Sequence, residues 1–204
     1  MRNAVLLAVV LVLAGCSKSQ SVGTDAASAN SPAAPDPAAT TASSEPATTP
    51  PPAAAEGSGH RVNLMPGLGA QVAGALSLVP DGDAVVVTGL VTGLAPDSGY
   101  GFHVHEKGDC SSTDFKSAGE HFNPTGQPHG NPGESAHHLG DVPNLMSNNV
   151  GRADVNARIE GATLGDGGPH DLVGKAFVVH AKPDDYKTQP SGNSGDRIAC
   201  GVVE

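Results

Sequence analysis

Tryptophan is absent from this 204-residue chain, and the other large aromatics amount to four Phe and two Tyr. The ring-bearing side chains are instead imidazoles, nine of them. Basic charge is also scarce. Residues 60–204 hold nine Lys and Arg against seventeen Asp and Glu, a balance that argues against nucleic acid as a partner. Beyond residue 13 no apolar run is long enough to span a bilayer, and no stretch keeps a helical period. Cysteine is limited to three residues, so a disulfide framework is excluded and at most one bridge can form within the chain.

The N-terminus reads as a targeting segment. Arg2 precedes an apolar run over residues 4–13 that is too short to remain in a membrane, and Leu13-Ala14-Gly15-Cys16 resembles the bacterial lipobox. Residues 1–15 are therefore expected to be a signal peptide and Cys16 the lipidated mature terminus. The implied protein is an exported cell-envelope lipoprotein, and Ser17 favours the periplasmic side of the outer membrane. Residues 16–59 are expected to form a disordered tether. Positions 31–55 are Ala, Pro, Ser and Thr except for Asp36 and Glu45, with no large apolar group to offset ordering entropy. As a flexible coil it would reach roughly 35–40 Å. With Cys16 set aside, Cys110 and Cys200 are left as a pair in an oxidising compartment, closing a loop of about 90 residues worth about 4 kcal/mol in the chain-entropy model.

Residues 60–204 form one domain of ordinary size. Short runs rich in Val, Leu and Ile recur at 71–79, 84–94, 100–106, 152–160, 172–180 and 198–203, divided by Gly, Pro and Asp. Pro80-Asp-Gly-Asp83 is a hairpin signal. This pattern predicts an antiparallel sandwich or barrel. Residues 107–149 and 181–196 are Gly- and Pro-rich and are read as two long functional loops.

The histidines are distributed in a way that points to metal. His103 and His105 at i, i+2 share one face of a strand, and His180 ends another. His121, His129, His138 and Asp141 all fall in the first long loop; three imidazoles and a carboxylate complete a tetrahedral zinc shell. Spacing alone does not choose between His138 and its neighbour His137. His60 and His170 have no motif around them and are read as surface residues.

Residues 61–204 resemble a copper/zinc superoxide dismutase of the exported bacterial kind. The resemblance rests on Gly101-Phe-His-Val-His-Glu-Lys-Gly-Asp109 and Gly192-Asn-Ser-Gly-Asp-Arg-Ile-Ala-Cys-Gly-Val202. Between them stand Gly119-Glu-His-Phe-Asn-Pro124, His129-Gly130 and His138-Leu-Gly-Asp141. It implies an all-β fold, an eight-stranded Greek-key β-barrel of immunoglobulin-like sandwich type. It implies one copper per subunit on His103, His105, His121 and His180, and one zinc on His121, His129, His138 and Asp141, with His121 bridging. It selects His138 over His137, pairs Cys110 with Cys200, places Arg197 beside the copper, and makes Asp184 the carboxylate that links the two metal sites. Tyr100 departs from the His common at that position, for which only a packing change is expected.

The activity implied is disproportionation of superoxide to O2 and H2O2, with His121 and Arg197 catalytic and the cell envelope protected. Lys182 and Lys187 either add to the attraction of the anion or, the preferred reading, serve solubility. An envelope protein that stores or delivers copper without turnover is the alternative. An inactive barrel used for adhesion or protein binding is a third reading. An anion-orienting arginine in an acidic domain favours the enzyme. The subunit arrangement stays open, a homodimer included.

Overall fold

The computed structural model describes residues 59–134 and 136–204. The expected signal peptide, Cys16 and the tether as far as residue 58 lie outside the described residues. Eight strands follow in order: β1 (His60–Pro66), β2 (Ala73–Asp81), β3 (Ala84–Thr92), β4 (Gly99–His105), β5 (Asp141–Met146), β6 (Ala153–Glu160), β7 (Ala176–His180) and β8 (Arg197–Val202). The helical content among the described residues is one 3-10 turn, Lys116–Ala118. All strand pairs are antiparallel, in the order β5-β4-β7-β8-β1-β2-β3-β6. The β1–β8 pairing, Met65 opposite Cys200 and Pro66 opposite Ala199, joins the two halves. On the other side β5 and β6 approach each other, so the barrel is nearly closed. The non-consecutive neighbours β3–β6 and β4–β7 are the Greek-key crossings.

The strands form because alternating side chains have a core to enter. In β6, Ala153, Val155, Ala157 and Ile159 are buried while Asp154, Asn156, Arg158 and Glu160 face water. Asp81 pairs with Ala84 across a two-residue hairpin turn, where Gly82 at φ 65° supplies the positive φ that such turns need. Strand β7 is buried on both faces. Phe177 and Val179 enter the barrel core, Phe177 lying 5.2 Å from Phe102 between ring centres. Ala176 and Val178 face a smaller cluster with Phe115, Ala118 and Cys200, beneath the loop that carries Cys110. A continuous apolar run is what a strand covered on both sides requires.

Three readings of the sequence need correction. Strand β5 lies inside residues 107–149, the stretch read as a long loop. Its Pro143 disguises it, and the structure tolerates that residue because β5 is a sheet edge with a register shift beside β4. Strand β1 was not read as a strand, although Val62 and Leu64 alternate inward. Residues 172–175 are a turn, closed by Lys175 N–H to Leu172 O, and not the start of β7.

The β6–β7 connection is ordered by Asp171, whose buried carboxylate accepts N–H groups from Gly165 (2.8 Å), Gly167 (2.7 Å) and Val173 (2.9 Å). Burial alone would raise its pKa, but these donors hold it below the usual carboxylate value. The stability it contributes is present above that usual value and is lost as pH falls through the depressed one. Asp171→Ala is expected to lower the unfolding free energy by about 1–3 kcal/mol in urea titration at pH 7. An unchanged midpoint would show that the connection orders itself without this residue.

Candidate metal centre

Two clusters of buried ligating side chains lie side by side against the outer face of β4 and β7, where His103, His105 and His180 alternate with the core residues Phe102, Val104 and Val179. In each, one atom per residue lies within 4.8 Å of the others: His103, His105, His121 and His180 in the first, and His121, His129, His138 and Asp141 in the second. The structure thus brings together all seven residues singled out as metal ligands, and it places His138, not His137, in the second cluster. His137 Nδ1 faces Glu134 O at 3.2 Å, outside it. His60 is held at Glu204 O and His170 at Gly161 O, both away from the clusters.

The first cluster is built mainly on strands. His103 and His105 project from the same face of β4, and His180 ends the neighbouring β7. His121 is brought up by a backbone bridge between its own position and His105. Each ring is oriented by a partner at its far nitrogen. His103 Nε2 meets Asp184 Oδ2 at 2.8 Å, His105 Nδ1 meets Gly119 O at 2.9 Å and His180 Nδ1 meets Gly195 O at 3.2 Å. Donation to a carbonyl fixes the tautomer, leaving a lone pair on Nε2 of His105 and His180. Those two atoms face each other at 3.4 Å. His103 Nδ1 and His121 Nε2 are buried with no hydrogen-bond partner among the described residues. Facing lone pairs and orphaned buried nitrogens are costly unless a cation lies between them, so the donor set fits a bound metal. Burial pushes the pKa of His103 and His105 down, that of His121 to about 4 and that of His180 to about 3. All four rings are neutral at pH 7, as ligands must be.

The second cluster is built on the loop and organised by two carboxylates. Asp141 Oδ1 contacts Nδ1 of His121 (2.9 Å), His129 (3.0 Å) and His138 (3.4 Å), while its Oδ2 accepts N–H groups from Gly130 and His138. Asp184 bridges the clusters, taking His103 on Oδ2 and His129 Nε2 on Oδ1 at 3.0 Å. Burial would raise Asp141 and Asp184, but their imidazole partners hold both far below the carboxylate range. Burial likewise opposes the charged form of His129, yet Asp141 and Asp184 outweigh it and raise its pKa to about 9. Both its nitrogens donate to carboxylates, which requires the imidazolium.

Arg197, at the start of β8, lines a cleft of about 240 Å³ with Asp114, Lys116, Glu120, Gly195 and Asp196. Its Nη1 donates to Phe115 O and its Nη2 to Gly119 O, both at 2.7 Å. Gly119 O therefore holds both the arginine and His105. Burial lowers the Arg197 pKa, Glu120 and Asp114 counter it, and a guanidinium stays charged at neutral pH. Cys110 and Cys200 form a disulfide, so the loop that receives Arg197 is tied to the strand that carries it. Lys116 is the lysine that lines this cleft, whereas Lys182 and Lys187 do not.

Other residues of the site were not legible as such. Asn144, on the unread β5, pairs its amide with the backbone of Asp184 in both directions at 2.9 Å. Gly192 stood in a motif without a role. At φ 63° any Cβ there would fall inside the Asp184 carboxylate and 2.8 Å from His129 Nε2. Tyr100 is buried and its hydroxyl accepts the Ala95 N–H, a packing difference with no contact to either cluster.

A family model described as copper/zinc superoxide dismutase matches residues 72–203. Superoxide dismutase [Cu-Zn] 2 of Aquifex aeolicus is 40% identical over 65% of this chain and 80% of its own length. Superoxide dismutase-like protein YojM of Bacillus subtilis is 38% identical over 71% and 76%. The crystal structure of a SOD-like protein from Bacillus subtilis superposes with a TM-score of 0.64 at 38% identity, covering 72% of this chain and 99% of that one.

Metal-free protein at pH 8 carries the His129 proton, since that pKa lies near 9. A divalent cation at the second cluster displaces it. Adding zinc in weak buffer at pH 8 is expected to release protons, read with an indicator dye, and His129→Asn should release fewer. Equal release from both proteins would mean that the proton sits elsewhere.

Proposed function

Since the chain belongs to the copper/zinc superoxide dismutase family, we propose that it turns two superoxide anions and two protons into O2 and H2O2. Copper would be held by His103, His105, His121 and His180, and zinc by His121, His129, His138 and Asp141, one of each per subunit. Bound in the first cluster, copper would supply the one-electron couple that takes an electron from one superoxide and returns it to the next, which zinc has no redox chemistry to do.

The chain's own residues supply the rest. Arg197 presents to the cleft the guanidinium donors that Phe115 and Gly119 leave free, and there it can bind and orient a small anion. Lys116, on the same wall, is paired with Asp114 at 3.0 Å, so attraction of the anion rests on Arg197, against an overall acidic surface that salt largely screens. His121 has its Nδ1 directed at the second cluster and its Nε2 at the first. Nε2 is the atom at which a proton can be taken up and passed to the departing peroxide. That division of one ring between two sites carries the proposal, because a protein that only stores copper has no need of it.

The same reading makes residues 1–15 and Cys16 the export and lipid-anchor signals of an envelope protein, with 16–59 as its tether and 60–204 as the catalytic domain. Superoxide crosses membranes poorly, so an anchored copy would protect the compartment it faces.

The test is elemental analysis of the purified protein alongside a superoxide-consumption assay. Metal-loaded wild type is expected to exceed His121→Ala by at least about 100-fold, a general acid–base group being worth about 10²–10⁴ in rate. Copper-loaded wild type no faster than His121→Ala would leave copper storage or delivery as the function. Cys110→Ser is expected to lower turnover in molecules that remain folded and metal-loaded, because the carbonyls that hold Arg197 lie on the loop the disulfide ties. Full turnover in such molecules would remove the disulfide from the orientation of Arg197.

A further inference from the structure

We propose that Gln189 is a positioning residue for the second cluster, acting through the backbone of His129. The inference rests on the zinc assignment above and goes beyond it in naming what sets the geometry of that site.

His129 stands in the irregular segment Gln127-Pro128-His129-Gly130, outside any strand, helix or turn. It takes part in no backbone–backbone hydrogen bond among the described residues. The other loop-borne ligands have such support. His138 O accepts the Asp141 N–H, and His121 sits within a backbone bridge to His105. For His129 the side-chain amide of Gln189, 60 residues away, does this work. Gln189 Oε1 accepts the His129 N–H at 2.9 Å, and Gln189 Nε2 donates to His129 O at 2.8 Å. The pair reproduces, from a side chain, the two-way bonding that a neighbouring strand would give. Nε2 has a weaker second acceptor, Lys187 O at 3.5 Å.

Gln189 is itself held firmly. The Asp185 carboxylate accepts the N–H groups of Lys187 and Thr188 and the Thr188 hydroxyl, and Gly192 N–H closes onto Thr188 O. The same segment supplies Asp184, which takes His129 Nε2. Of the four polar groups of His129, three are thus satisfied from residues 184–189, and the fourth, Nδ1, faces Asp141. Without Gln189 the ring would keep its two carboxylates but lose the anchor of its own backbone. The segment could then swing about Asp184, and Nδ1 would no longer be held at the distance set by Asp141, His121 and His138.

The test uses the full protein with zinc alone, in competition with a chromophoric chelator, and the visible spectrum of the cobalt-substituted second site. Gln189→Met keeps length and bulk and removes both hydrogen bonds; Gln189→Ala serves if Met packs badly. Either is expected to weaken zinc binding by about 10- to 100-fold, as loss of a ligand-orienting partner does, and to shift the cobalt bands. The thermal midpoint of the metal-free protein should stay within a few degrees of wild type, which separates positioning from general stability. Zinc affinity within about threefold of wild type, with unchanged cobalt bands, would overturn the proposal. Wild type that itself fails to compete for zinc would instead sink the zinc assignment, so the two failures are distinguishable.

Discussion

The rest of the site depends on one buried carboxylate. Asp184 bonds His103 of the strand-borne cluster with one oxygen and His129 of the loop-borne cluster with the other. A buried carboxylate is costly unless its charge is met, and here it is met by one imidazole from a strand and one from the loop. Gly192 is forced by that arrangement, because the carboxylate occupies the space a side chain would need. Asn144 fixes the Asp184 backbone from β5.

The barrel and the loops contribute differently to the two clusters. Strands β4 and β7 offer fixed vectors, so His103, His105 and His180 need only one partner each to lock their rings. The loop residues have no such frame. Asp141 substitutes for one by gathering three imidazoles on one oxygen and two backbone N–H groups on the other. The Cys110–Cys200 disulfide and the small cluster of Phe115, Ala118, Ala176 and Val178 tie the first part of the loop to the sheet. These ties place the carbonyls of Phe115 and Gly119 where Arg197 can use them.

The electrostatics follow from burial more than from net charge. The protein is acidic overall, yet the cleft beside the first cluster presents a guanidinium and a lysine among its carboxylates. Burial keeps the four imidazoles of the first cluster neutral, ready to ligate. Two carboxylates keep His129 charged until a cation replaces its proton. Neighbouring rings only 5.9 Å apart between centroids, His103 and His129, therefore hold opposite protonation preferences.

The sequence by itself determined the antiparallel class, because period-2 runs such as Ala153–Glu160 have no other way to bury one face. It also determined which imidazoles are candidates, since His-x-His on a strand fixes a shared face. Tertiary structure alone decided what lies between chain-distant groups. Strand β5 was hidden by Pro143, whose tolerance depends on edge position, a property of the assembled sheet. Spacing alone does not separate His138 from His137, and only the resemblance of His138-Leu-Gly-Asp141 favours the first; the structure adds the physical reason, that the His138 ring reaches Asp141 Oδ1 once Asp141 Oδ2 holds the His138 N–H. Asn144 and Gln189 were invisible for the same reason. An amide side chain looks alike in solvent and in a clamp, and only the backbone it meets 40 or 60 residues away distinguishes the two.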